Sequence, residues 1–245
     1  MWRVMAAAVV LAACAPSPQV SVSLYQTRSD TPVNKIEMQV RNDGTEPVTV
    51  HRAELRSTRL VDSAVWEEVV EIPPGAAMDL KVGLPAARCA ASVGETVELR
   101  LDDREVVLDA ADTLGQLGTY VAQECFAQDV EATALIEVED VTSEGLQVRV
   151  YPGAAAVGRL DSTILFVPAD RDAIAAAPGS ATDLRQVVLR PNRCDAHALG
   201  EDKQGTYFDV DVTLPDGRTG RYSFGVDPEQ RGKLYRLYAR KCGLS

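Results

Sequence analysis

The sequence is poor in histidine, with two residues in 245, and aromatics make up 5%. It contains no GxSxG, HExxH or GxGxxG signature and no Walker loop. Between Gly225 and Gly232-Lys233 the spacing is too long for a phosphate loop, and Leu234 stands where such a loop needs a hydroxyl for magnesium. These absences exclude the commonest nucleotide-binding and hydrolase signatures. No CxxC occurs, so a thiolate zinc centre has no framework. Basic charge is also short: 25 Lys and Arg stand against 36 Asp and Glu, a net charge of −11. Phosphate backbones demand a basic face, so nucleic acid is excluded as a partner. Beyond the N-terminal segment, no apolar run approaches the roughly 20 residues that a membrane-spanning helix needs.

What is present begins at the N-terminus. Arg3 is followed by an apolar run over residues 4–11 and then Leu11-Ala12-Ala13-Cys14. A charged end, a short apolar core and small residues before a cut make the layout of a secretory signal. The last four of these residues resemble the lipobox of bacterial lipoproteins. That resemblance implies cleavage before Cys14 and acylation of Cys14, for example with palmitate. Two or more acyl chains hold a protein stably on a membrane, whereas one is marginal. Residues 1–13 are thus expected to be a signal peptide. Residues 14–19, with Ala15-Pro16-Ser17-Pro18, are expected to be an extended tether. The implied location is the extracytoplasmic face of the cell membrane.

Four cysteines remain: Cys89, Cys125, Cys194 and Cys242. An even number in an exported chain suggests two disulfides, with three possible pairings. An internal repeat selects one of them. Pro74-Gly75, Asp79-Leu80, Leu84 and Arg88-Cys89 recur in order as Pro178-Gly179, Asp183-Leu184, Leu189 and Arg193-Cys194. Gly94-Glu95 recurs as Gly200-Glu201, and the Leu117-to-Cys125 spacing recurs from Leu234 to Cys242. Upstream, residues 36–40 align with residues 146–150. This shared order indicates tandem duplication, and copies bond internally: Cys89–Cys125 and Cys194–Cys242.

Each copy has short alternating segments separated by turns, the pattern of a β-sandwich. Residues 20–24, 36–40, 80–84, 97–101 and 105–108 read as strands, as do 207–214 and 220–224. Asp43-Gly44 reads as a hairpin turn. Asp227-Pro228-Glu229 starts a helix whose Leu234, Leu237 and Tyr238 share a face, and Leu114, Leu117 and Val121 mark its counterpart. Both helices are expected to end near a disulfide cysteine. Residues 40–55, with Asn-x-Gly and Pro-Val-Thr-Val, resemble immunoglobulin-like domains common on bacterial surfaces. Trp66 precedes Cys89, so the antibody-type disulfide topology is not implied. The second half, with Cys194-Asp195-Ala196-His197 and Glu201-Asp202-Lys203, resembles exported actinobacterial proteins, a resemblance that implies no activity. The expected fold is mostly β, a tandem duplication of an immunoglobulin-like β-sandwich. Each copy carries one short α-helix near its C-terminal cysteine. Copy 1 is expected over residues 20–128 and copy 2 over residues 129–245.

Two polar clusters stand out. Asp195, His197 and Glu201, with Asp202 adjacent, combine carboxylates and imidazole, donors that suit a divalent transition metal. In an extended loop Asp195 and His197 point the same way. The alternative is a solvated acidic loop. Arg231, Lys233, Arg236, Arg240 and Lys241 cluster on the last helix. There they either oppose the helix dipole or dock an anionic partner or phospholipid. His51 sits in a strand pattern and reads as structural.

The expected function is non-enzymatic: a lipid-anchored envelope protein of binding or scaffold type. Its partners are the membrane through the lipid anchor and an envelope protein or glycan, with no cofactor. Two alternatives remain, a metal-dependent hydrolase using Asp195, His197 and Glu201, or an accessory subunit of a membrane complex.

Overall fold

The computed structural model describes residues 19–102, 104–201 and 206–244. Cys14, the signal segment and most of the tether lie outside the described residues, as does Asp202. The backbone of Glu201 is described and its side chain is not.

Copy 1 runs through β1 (Val20–Tyr25), β2 (Lys35–Asn42), β3 (Val48–Ser57), β4 (Ala64–Trp66) and β5 (Val70–Ile72). It continues through β6 (Ala77–Gly83), β7 (Glu95–Leu101), β8 (Glu105–Asp109) and α1 (Gln116–Thr133). Copy 2 comprises β9 (Leu135–Val141), β10 (Gly145–Tyr151), β11 (Ala156–Leu160), β12 (Phe166–Pro168) and β13 (Asp183–Pro191). After these come α2 (Ala196–Glu201), β14 (Tyr207–Thr213), β15 (Thr219–Gly225) and α3 (Pro228–Cys242).

The duplication is visible in the strand order. Copy 1 has one sheet ordered β1-β2-β6, and copy 2 has β9-β10-β13 with β12 added at the edge. The second sheet contains β3-β7-β8 in copy 1 and β11-β14-β15 in copy 2. All named pairings are antiparallel. The aligned segments 36–40 and 146–150 occupy the same place, the central strands β2 and β10. The repeated Pro-Gly turns are equivalent too. Gly75 and Gly179 have φ of +73° and +70°, a region that glycine enters without steric cost. Gly75 donates its N–H to the carbonyl of Asn42 at the end of β2, and Gly179 donates to Gly153 just after β10. Accessory strands break the symmetry: β4 and β5 pair with β3, whereas β12 pairs with β13.

Alternation puts one face of each sheet into a core. Copy 1 buries Leu24, Ile36, Met38, Leu55, Leu80 and Leu99. Copy 2 buries Val148, Phe166, Leu189, Phe208, Leu237 and Tyr238 in a separate cluster. Each such side chain contributes about 1.5–3 kcal/mol relative to exposure. Disulfides Cys89–Cys125 and Cys194–Cys242 join residues whose Cα atoms are 5.7 and 5.3 Å apart, one bond within each copy. Each ties the segment before β7 or β14 to the terminal helix of its copy.

Three local expectations are corrected. Asp43-Gly44 does not close a hairpin, because β2 and β3 lie in different sheets. Buried Asn42 directs the crossing. Its side chain donates to the carbonyls of Glu46 and Ile72, while its Oδ1 accepts from the N–H of Gly44. Residues 196–201 form a helix rather than an extended loop. Asp195 Oδ1 accepts the N–H of Ala198 at 2.8 Å, which satisfies a helix-start donor. Third, α3 ends at Cys242, but α1 runs eight residues past Cys125 to Thr133.

The length of α1 matters most. The expected boundary after residue 128 falls inside it. Leu117 and Tyr120 are buried in the core of copy 1, and Val130 is buried in that of copy 2, with Phe126 and Ala127 packed against it. One helix therefore serves both cores. A break at residue 128 would leave four orphan carbonyls on one side of the cut and four orphan N–H groups on the other. Among the described residues no helix is long and apolar enough to cross a membrane.

Candidate functional site

The second half of α1 packs against copy 2. Phe126 sits on β15, where a Cβ on Gly220 would lie 2.9 Å from its ring carbons. Only glycine permits that approach. Asp129 pairs with Arg218 at 2.7 Å, and the hydroxyl of Tyr222 donates to Glu131 at 3.2 Å. Burial, reinforced by Glu131, pushes the Tyr222 phenol up to about 12. These contacts leave a cleft of about 850 Å³ between the copies, within the range of about 300–1,000 Å³ usual for ligand sites. Its walls are α1 and the short 3₁₀ segment Thr31–Val33. Its other side is β14 and β15, lined from the outer face by Tyr207, Asp209, Arg221 and Ser223 and, where α1 packs, by Gly220 and Tyr222.

Strand alternation decides which side chains reach that outer face. Phe208, Val210, Tyr222 and Phe224 point into the core. Tyr207, Asp209, Arg221 and Ser223 therefore point outward, and all four line the cleft. Tyr207 pairs in register with Gly225. A Cβ on Gly225 would lie 2.9 Å from Cε1 of Tyr207, so the ring rests on bare backbone. Tyr207 remains 39% exposed. The Ser223 hydroxyl donates to Oδ1 of Asp209, and Arg221 reaches Asp161 at 3.1 Å. Glu124, Glu131 and Asp209 against Arg221 leave the lining acidic.

The sequence candidates lie elsewhere. Asp195 and His197 do not line this cleft. The Asp195 carboxylate caps α2 and pairs with Arg193 at 2.9 Å. The Ala198 N–H, then the charge of Arg193, hold it below the usual carboxylate range. His197 is exposed on α2. Among the described residues no group of three His, Cys, Asp or Glu side chains converges in metal-binding geometry. His51 meets Asp102 at 2.8 Å on the surface of copy 1. On α3, Lys233 pairs with Asp140 at 2.9 Å and Lys241 with Glu144 at 3.6 Å, so part of the cationic cluster is spent within the chain.

Sequence reasoning missed the cleft, because its lining comes from both copies and the helix between them. One signal was present. Tyr207 and Gly225 flank a hairpin at positions whose alternation puts them outside the core.

No family model matches the chain, and no curated protein does. Among solved structures the chain is similar to red sea bream transglutaminase, with 12% identity and a TM-score of 0.29. That match covers 85% of this chain and 31% of the other, so the chain spans about a third of that protein's length. It is also similar to the YadV chaperone, with 9% identity, a TM-score of 0.22, and coverage of 85% and 100%. The Pseudomonas aeruginosa CupB2 chaperone is similar at 11% identity and a TM-score of 0.23, with coverage of 80% and 95%.

Proposed function

We propose that this chain is a lipid-anchored binding or scaffold protein of the cell envelope. It is held on the extracytoplasmic face through acylated Cys14 and presents its two β-sandwich copies to an envelope partner. The observation that carries this reading is the pair of disulfides, one per copy. Such bonds persist in oxidising, exported compartments and are rare in the cytosol. The lipobox-like Leu11-Ala12-Ala13-Cys14 supports the anchor. A concave, mixed polar and aromatic site between the copies supports a binding role.

The test is metabolic labelling with a fatty-acid analogue in the native host. The parent chain should take up label and fractionate with membranes, while Cys14→Ser should accumulate as unlabelled precursor. Equal labelling of that variant would overturn the anchor. Crosslinking in intact envelopes, followed by pull-down, then identifies the partner.

A further inference from the structure

The same sheet face has opposite fates in the two copies. Register and burial phase align the pair Tyr207–Gly225 with Thr96–Asp109, and the pair Asp209–Ser223 with Glu98–Val107. In copy 1 the charges on this face are spent on one another. Arg52 and Arg56 both bind Glu54, at 2.5 and 2.9 Å, and Arg56 also binds Glu98 at 2.8 Å. In copy 2 the face carries an aromatic ring on a glycine, a carboxylate bonded to a hydroxyl, and a guanidinium that also reaches Asp161, and all four side chains line the cleft.

We propose that this cleft binds a neutral oligosaccharide, stacked on Tyr207 and hydrogen-bonded by Asp209, Arg221, Ser223, Asn34 and Gln123. The proposal deepens the binding reading above and rests on it. The chemistry runs as follows. A sugar ring has one face of C–H groups and an equator of hydroxyls. The first needs a flat apolar surface, and the second needs planar groups that donate and accept in pairs. Gly225 supports one side of the Tyr207 ring and leaves it 39% exposed at the cleft. A tyrosine held this way offers a large contact face at low entropic cost. Asp209 has one oxygen engaged by Ser223, and its second oxygen has no hydrogen-bond partner among the described residues. Asn34 and Gln123 are exposed across the cleft, on copy 1 and α1 respectively. Carboxylates outnumber the single guanidinium, which disfavours anionic sugars. A peptide side chain, by contrast, would need an apolar pocket. Of the four rings in the lining, Tyr120 and Tyr222 are buried and Phe126 packs against the core of copy 2, so Tyr207 is the ring exposed among the polar groups.

The full-length chain is purified in detergent with both disulfides formed. It is then titrated by calorimetry with three neutral probes: N-acetylglucosamine trimer, cellotriose and maltotriose. At least one should bind with a Kd below about 10 mM. Tyr207→Ala should weaken that binding by about tenfold or more. Tyr207→Phe should retain it, and Tyr207→Trp should retain it with a change in indole fluorescence. Gly225→Val should weaken binding by displacing the ring. Tyr207 is exposed, and an unchanged Tm confirms that its variants are folded. Absence of binding by all three probes, or binding indifferent to Tyr207→Ala, would overturn the proposal. So would capture of the cleft by a peptide that these sugars do not displace. This titration does not depend on acylation, so its failure and failure of the Cys14 labelling test are separate results.

Discussion

Copies 1 and 2 share a strand order and a disulfide pattern, yet they manage polar groups differently. Copy 1 buries ions. Asp30 and Glu37 are 1% and 5% exposed, and both reach Lys81, at 2.8 and 2.9 Å. Arg59 and Glu95 form a second nearly buried pair at 2.9 Å. Among the described residues copy 2 has no counterpart of these three pairings. Its ion pairs, such as Arg218 with Asp216 and Lys233 with Asp140, sit at the surface. Buried ions are fixed by geometry and costly to break, whereas surface pairs are worth about 0–1 kcal/mol. Copy 1 thus fixes part of its charge in the interior, whereas the ion pairs of copy 2 lie nearer the solvent.

The helix ends show the opposite, a conserved device. Asp112 accepts the N–H groups of Gln116 and Gly118, and Asp227 accepts that of Gln230. The Gln116 side chain bonds Gln26 beyond β1, and Gln230 bonds Val138 and Glu139 on β9. In each copy a helix tyrosine donates to a carbonyl of the segment carrying the first cysteine: Tyr120 to Pro85, and Tyr238 to Arg193.

The largest expected effect comes from the disulfides. Replacing Cys194 and Cys242 by serine should cost about 4 kcal/mol, from the loop-entropy model. Replacing Cys89 and Cys125 should cost about the same. The distribution should differ, because α1 belongs to both cores. Hydrogen exchange should rise in both copies when Cys89–Cys125 is lost, and in copy 2 alone when Cys194–Cys242 is lost. Confinement of the first effect to copy 1 would mean that α1 does not couple the cores.

Next come the buried ions. Lys81→Met leaves Asp30 and Glu37 without their cation. Lys81 is 43% exposed, so solvent screens part of the loss, and the variant should show a lower Tm than the parent but a smaller drop than loss of a disulfide. Acid should act on the same copy. Burial opposes ionisation of Asp30, but hydrogen bonds from Lys81 and Thr27 win and hold its carboxyl below the usual range. Arg56, then Arg52, bring Glu54 from 4.5 to about 2. Both carboxyls are depressed on folding, so their stabilisation is full above the unfolded pKa and disappears as pH falls through the folded one. Copy 1 should therefore loosen before copy 2 between pH 4.5 and about 2, read by exchange in each copy. Loosening of copy 2 first would reverse the assignment.

Widening the contact between copies should cost less. Gly220→Val drives a side chain into Phe126, with an expected loss of about 1–3 kcal/mol. The two halves should then melt as two transitions in calorimetry; a single unshifted transition would show that Phe126 does not couple them. The smallest effect belongs to the aspartates at the helix starts. Asp227→Ala removes the N-cap of α3 and should cost about 1 kcal/mol; Asp112→Ala removes the acceptor of the Gln116 and Gly118 N–H groups and should cost about as much, each read as a decrease in Tm. A loss confined to one of them would show that the helix starts are not equivalent.

Much of this was legible in the residues. Alternation predicts one face in and one face out, so strands β1, β2, β7, β8, β14 and β15 were readable locally. Matched Arg-Cys and Leu-to-Cys spacings select the disulfide pairing. Asp227 and Pro228 mark the start of α3, because a cap and its proline act within one turn. Asp195 and His197 misled, because residue types alone do not tell a metal ligand from a helix cap. The carboxylate that suits a cation equally suits the N–H of Ala198.

The sequence by itself determined the two copies, their bonding within each copy and which residues face each core. These depend on periodicity and on order along the chain. Only the tertiary structure decided that α1 continues through the expected boundary, that Asn42 sends the chain across to the other sheet, and that Tyr207 opens into a cleft. Each of those depends on partners far away in sequence: Val130 entering a second core, Asn42 bonding Ile72, and Phe126 resting on Gly220. Packing between distant segments leaves no periodic trace in either one alone.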